Sequence, residues 1–229
     1  MTRLYVLVEG QTEDEFVRHV LTPHLGNRGT WVSSVIVQTG RDDHGGKLRG
    51  GGQWAKWCRD LKRLTAEQKG TDVWFTTMFD LYGLPKDFPE LAQHAADRDT
   101  SRRADSLEAA MARAIDDKRL IPNLQRHEFE ALVLAGLDVL ETLLEDPIDI
   151  AGTVELKTAL RNASPEDIDD GVATAPSKRL AHRIPSYRKV LHGPLALEGT
   201  GLTPLRRCCP RFDRWIARLE ALAEPSTRR

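Results

Sequence analysis

Apolar and polar positions along the chain change period several times. Residues 3–8 (RLYVLV) are almost continuously apolar, which predicts a strand covered on both faces. From residue 12 the spacing becomes helical, with Phe16, Val17, Val20 and Leu21 on one side, predicting a helix over 12–25. Thr12 followed by Glu15 reads as a capping box at its start. Strands follow at 30–38 and 72–80, separated by a helix over 53–64. A helix over 103–117, a short strand over 119–125 and a long helix over 128–145 come next. Strands alternating with helices predict an α/β fold, a mainly parallel sheet with helices on both faces.

After Asp146 the grain changes. DPIDIAGT reads as a connector, residues 155–162 as a short helix, and the stretch from Ser164 to Pro185 as mostly loop with a basic island. A last amphipathic helix over 209–222 places Phe212, Trp215, Ile216, Leu219 and Leu222 on one face. The expected division is a catalytic domain over 1–146 and a mostly helical C-terminal extension over 147–229, packed on or beside it.

Composition narrows the class. With 229 residues, 40% hydrophobic and 29% charged, the chain can bury a full core. A net charge of -1 gives no global attraction to nucleic acid, so any such contact needs a local basic patch. Three cysteines, two of them adjacent, make neither a disulfide framework nor a zinc pattern. No apolar run approaches a membrane span and no signal peptide is evident, so the expectation is a cytoplasmic protein without membrane contact.

Two acids stand where strands end: Glu9 before Gly10, and Asp80 in MFDLYG. In an open parallel sheet ligands bind beyond the carboxyl ends of the strands. If the two strands are neighbours, the carboxylates converge and repel, and a hard divalent cation such as magnesium relieves that repulsion. Asp14 and Glu15 are better explained as first-turn acids favouring the helix dipole. Glu13 is open to either reading. Arg126 and His127, just before a helix, read as a cap or a solvated loop.

VLVEGQTEDEF resembles the opening motif of Toprim domains, above all those of the overcoming-lysogenization-defect (OLD) nucleases, which run from a strand into E-G-x-[ST]-E. MFDLYG is similar to the second Toprim motif, D-x-D, and LQRHEFEALVLA to the strand and glutamate-bearing helix of compact Toprim families encoded beside an ATPase. The resemblance covers residues 3–145. It implies a Toprim-like fold and a Mg²⁺- or Mn²⁺-dependent nuclease, on DNA rather than RNA, serving antiviral defence with a separate ATPase subunit of ABC or AAA type. Under it Glu9 is a metal ligand or acid–base group, Glu13 the second motif glutamate and Asp80 the first aspartate of D-x-D. Tyr82 stands where the second aspartate would be, which puts two-metal chemistry in doubt. Glu128 and Glu130 are the candidates to restore the lost charge, and their spacing does not choose between them. Lys178, Arg179, Arg183, Tyr187 and Lys189 are candidates for a strand-binding face. The competing reading is a non-catalytic module with a degraded metal site that binds nucleic acid or a partner.

Overall fold

A computed structural model describes residues 1–37, 53–161, 163–168 and 174–223. The glycine-rich loop at 40–52 lies outside the described residues. Strand β1 (Thr2–Val8) pairs in parallel with β2 (Thr30–Ile36) on one side and β3 (Val73–Asp80) on the other. Beyond β3 the edge is broken into β4 (Leu120–Ile121) and β5 (Leu124–Gln125), both parallel to β3. The order is therefore β2-β1-β3-β4, with β5 beside β3. The chain leaves β1 in one direction and returns to its other side at β3, so the crevice between β1 and β3 is the switch point of the sheet.

The unbroken apolar run of β1 serves two cores. Leu4, Val6 and Val8 face one layer, and Leu7 faces the other. The second layer holds α3 (Trp54–Glu67) and α4 (Thr100–Ile115), through Trp57, Leu61, Leu107 and Met111. The first layer holds a helical run of α1 (Gln11–Phe16), a π-helical segment over Val17–Leu21 and α2 (Thr22–Gly26). Beside it pack α5 (Glu130–Ala135), α6 (Leu137–Thr142) and apolar residues of the described tail.

The tail is more helical than its composition suggests. The expected connector is the start of α7 (Pro147–Ala159): Asp146 caps it by accepting the Ile148 N–H at 2.8 Å, and Pro147 occupies the first turn, where no N–H is needed. The expected loop contains α8 (Pro176–Arg183), and α9 (Lys189–Thr200) and α10 (Leu202–Cys208) follow. Helix α11 (Pro210–Glu220) buries Phe212, Trp215, Ile216 and Leu219 against the same core as β1 and α5. Trp215 Nε1 donates to Thr76 Oγ1 in the middle of β3 at 2.9 Å, which ties the tail to the centre of the sheet. The expected 128–145 helix is interrupted at Gly136. The expected capping box does not form: Gly10 is the N-cap, and Thr12 is buried inside the first turn.

Helices α7 and α8 cross at Gly152, where an added Cβ would stand 1.8 Å from the Arg183 carbonyl oxygen. Both groups are held by helix backbone and neither can rotate aside. Gly152→Ala should lower stability by about 2–3 kcal/mol. A urea midpoint unchanged by this substitution would mean the two helices separate freely.

Candidate active site

Glu9 and Asp80 meet at the switch point. Glu9 follows the last residue of β1, and its Oε1 accepts the Asp80 N–H at 2.6 Å. Asp80 ends β3, and its Oδ1 accepts the Phe129 N–H at 2.8 Å. The two strand-end carboxylates are thus locked to each other and to the loop before α5. Gly83 closes over them: a Cβ there would lie 3.1 Å from Glu9 Oε2.

Two further carboxylates enter from helices. Glu13 in α1 and Glu130 at the start of α5 are buried. Lys189, the first residue of α9, reaches into this group. Its Nζ lies 3.1 Å from Glu130 and 3.9 Å from Glu13. The ammonium stands at that same 3.1 Å from both oxygens of Glu130, which is buried. Among the described residues, four carboxyl groups therefore share one ammonium group.

The titration behaviour follows from this imbalance. Burial pushes Glu9 up to about 7, against the Asp80 N–H that favours its charge, and Glu13 adds to the rise. Asp80 is raised well above the usual carboxylate range by burial and then by the Glu9 charge. Burial also raises Glu130, opposed by Lys189. Lys189 is raised above its ordinary value, because the attraction of Asp80, Glu130 and Glu13 outweighs its own burial.

The segment 126–130 distributes its side chains in several directions, aided by a left-handed residue at His127, with φ 66°. Arg126 binds Thr100 Oγ1 at 2.6 Å and Asp167 at 2.7 Å. His127 Nε2 lies 2.9 Å from the Glu166 carbonyl, which can only accept, so Nε2 carries the hydrogen and Nδ1 accepts from the Tyr82 hydroxyl. Burial holds His127 down to about 4, in keeping with that neutral form. Glu128 faces away from the acids, and its Oε2 accepts the Ser177 N–H at the start of α8 at 3.0 Å. Of the two candidates for the missing charge, Glu130 is the one beside Lys189. Tyr82 is turned to His127.

The basic candidates separate as well. Arg183 pairs with Glu155, and Arg179 donates to the Thr174 carbonyl at 2.6 Å. Lys178 is exposed on α8. Lys189, expected on a strand-binding face, stands beside the acids, whose charges raise it, with its side chain 43% exposed. Tyr187 also turns inward, and its hydroxyl oxygen is sealed from solvent. Asp14 and Glu15 behave as local helix acids, pairing with Arg18 at 3.0 Å and His19 at 3.1 Å.

The donors in the crevice are all hard oxygen ligands in excess of positive charge, which suits magnesium or manganese in chemistry and charge. Among the described residues no three His, Cys, Asp or Glu side chains stand as a ready-made cage. The fit is one of donor type and charge, with Glu9, Asp80 and Glu130 as the residues that would hold an ion.

Fold and site together define an α/β protein with a buried acidic crevice at the switch point of a parallel sheet. The chain belongs to the family described as a domain of unknown function, DUF4276, whose pattern matches residues 8–220. Among solved structures it is similar to the C-terminal region of the Burkholderia pseudomallei OLD protein. That similarity has 16% identity and a TM-score of 0.49, covering 98% of this chain and 100% of the other. It is also similar to the C-terminal region of the Xanthomonas campestris pv. campestris OLD protein, at 17% identity and a TM-score of 0.46, covering 97% of each. No curated protein matches. No helix among the described residues is long and apolar enough to cross a membrane.

Proposed function

We propose that the chain is a magnesium-dependent phosphodiesterase, an endonuclease acting on DNA. The observation that supports this most is the pairing of Glu9 and Asp80 at the switch point, with Glu130 and Glu13 beside them and, among the described residues, one ammonium, Lys189, facing four carboxyl groups. Such a site takes up positive charge at neutral pH. A divalent cation there would supply stabilisation of the developing charge on the attacking or leaving oxygen of a phosphodiester. The chain's own groups complete the work. Glu9, held near neutrality by burial before an ion binds, can give up its proton to water as the cation arrives. The Asp80 and Phe129 N–H groups fix the two strand-end carboxylates, so little reorganisation is needed. The sequence motifs at these residues resemble those of Toprim-like nucleases, and the family setting they resemble makes a separate ATPase the expected partner in antiviral defence.

Manganese titration by calorimetry tests the site. Wild type should bind the ion, and Glu9→Gln and Asp80→Asn should lose that binding while remaining folded. Unchanged manganese affinity in both variants would remove the assignment. A second reading, a non-catalytic binding module, is favoured by one observation: Tyr82, in place of an acid, is committed to His127. That reading predicts nucleic-acid or partner binding by wild type without any ion uptake at Glu9.

A further inference from the structure

A cavity of about 650 Å³ opens beside the acids, within the roughly 300–1,000 Å³ of ligand-sized pockets. It meets them at Gly83, which lines the cavity and where an added Cβ would lie 3.1 Å from Glu9 Oε2 and 3.4 Å from Asp80 Cβ. Tyr82, Leu84, Pro85, Lys86 and Gln53 line it further. Tyr82 is clamped: its hydroxyl donates to His127 Nδ1, and His127 Nε2 donates to the Glu166 carbonyl at 2.9 Å. Asp87, also in the lining, is committed as a cap of α3, accepting the Trp54 N–H at 2.9 Å and the Ala55 N–H at 3.4 Å. Lys86 is exposed and makes no ion pair among the described residues. The acids therefore border a space with a fixed aromatic side chain, two apolar residues and an uncommitted cation.

We infer that this cavity seats the nucleoside adjoining the phosphate held over the carboxylates, with its base against Tyr82, Leu84 and Pro85 and with Lys86 contacting the next phosphate along the strand. This rests on the phosphodiesterase reading and names the part of the substrate beside the scissile bond. A base is flat and apolar on its faces, and it stacks on an aromatic side chain whatever its identity. A tyrosine already clamped by His127 loses little further rotamer freedom when the base arrives. Lys86 supplies a point charge that positions a phosphate without reading sequence. Tyr82 thereby has a task that an aspartate at its position could not perform.

The test uses the full chain in saturating manganese and probes with no phosphodiester to cut: methyl phosphate, thymidine 5′-phosphate, thymidine 3′-phosphate and thymidine 3′,5′-bisphosphate. Wild type should bind one of the two monophosphates roughly tenfold more tightly than methyl phosphate, the worth of one stacked base. The bisphosphate should gain roughly threefold more, as for an exposed ion pair. Tyr82→Leu should erase the nucleoside gain while methyl phosphate binds as before, and Tyr82→Phe, which keeps the ring, should retain it. Lys86→Ala, at an exposed side chain, should erase the gain from the second phosphate alone. Equal wild-type affinity for methyl phosphate and every nucleotide would overturn the inference and leave the phosphodiesterase reading standing. So would a nucleoside gain that survives Tyr82→Leu, or a second-phosphate gain that survives Lys86→Ala. A wild type that binds manganese but none of the phosphates would overturn both.

Discussion

Glu9→Gln should make the ion-free protein more stable at pH 8 than wild type by on the order of 3 kcal/mol, with the gain vanishing below about pH 4.5. Glu9 titrates near 7 in the fold and near 4.5 when unfolded. Between those values the unfolded chain releases the proton and the fold retains it, so wild-type stability falls as the pH rises through this window. Asp80 contributes in the same direction, because its carboxyl is also raised. His127 works oppositely: held near 4 in the fold, it withdraws stability as the pH falls from about 6.5 toward 4. The decisive quantity is therefore the difference between wild type and Glu9→Gln, in which His127 cancels. Glutamine keeps the oxygen that accepts the Asp80 N–H, so the substitution changes charge more than geometry. Denaturant titrations in chelator at pH 4.5, 6 and 8 would measure it. A difference that stays flat with pH would mean that Glu9 is an ordinary solvated carboxylate.

Arg211→Met should cost about 3–5 kcal/mol, the range expected when one partner of a buried ion pair is removed. Arg211 is 6% exposed at the start of α11 and reaches across to α4, where it pairs with Asp105 and, at 2.5 Å, with Glu108. Its Nε also donates to the Leu124 carbonyl, while Glu108 accepts the Leu124 N–H at 2.8 Å. The pair thus ties off the backbone of β5 at the broken sheet edge. Glu108 is raised by burial in spite of its arginine, so without it the carboxylate would be stranded. Adding Glu108→Gln to Arg211→Met should recover part of the loss. A single substitution costing under about 1 kcal/mol would show that water reaches this edge.

The parts of this protein that were legible in its sequence are those whose signals are local. The apolar run 4–8 announced a doubly covered strand, and the acids at 9 and 80 announced a site once parallel pairing was assumed. Their meeting required only that β1 and β3 be neighbours, as they are. The capping box failed because Gly10 takes the turn, so the helix begins at Gln11 and Thr12 is drawn inside. The Asp146–Pro147 pair was a helix start with its own chemistry, hidden by a polar, glycine-containing stretch that reads as linker. The meeting of Lys189 with the acids was illegible for a different reason. A basic residue in a basic stretch has no local mark that says it will face acids from α1 and α5, since that follows from how α9 lies across them. Glu130 over Glu128 was likewise undecidable by spacing, because the left-handed turn at His127 sets which of them points inward.

The placement of Lys189 has a consequence for how the protein comes into being. Ribosomes deliver β1 and Glu9 first, and the ammonium that balances the crevice arrives 180 residues later. Until then the ammonium that stands beside Glu13 and Glu130 is missing from the crevice. The covering α9 also belongs to the core that β1 and α5 need to bury their apolar faces. A chain halted at residue 146 therefore carries the motif carboxylates without the surroundings that shift their titration. The balanced crevice exists only once α9 has been made and laid across α1 and α5.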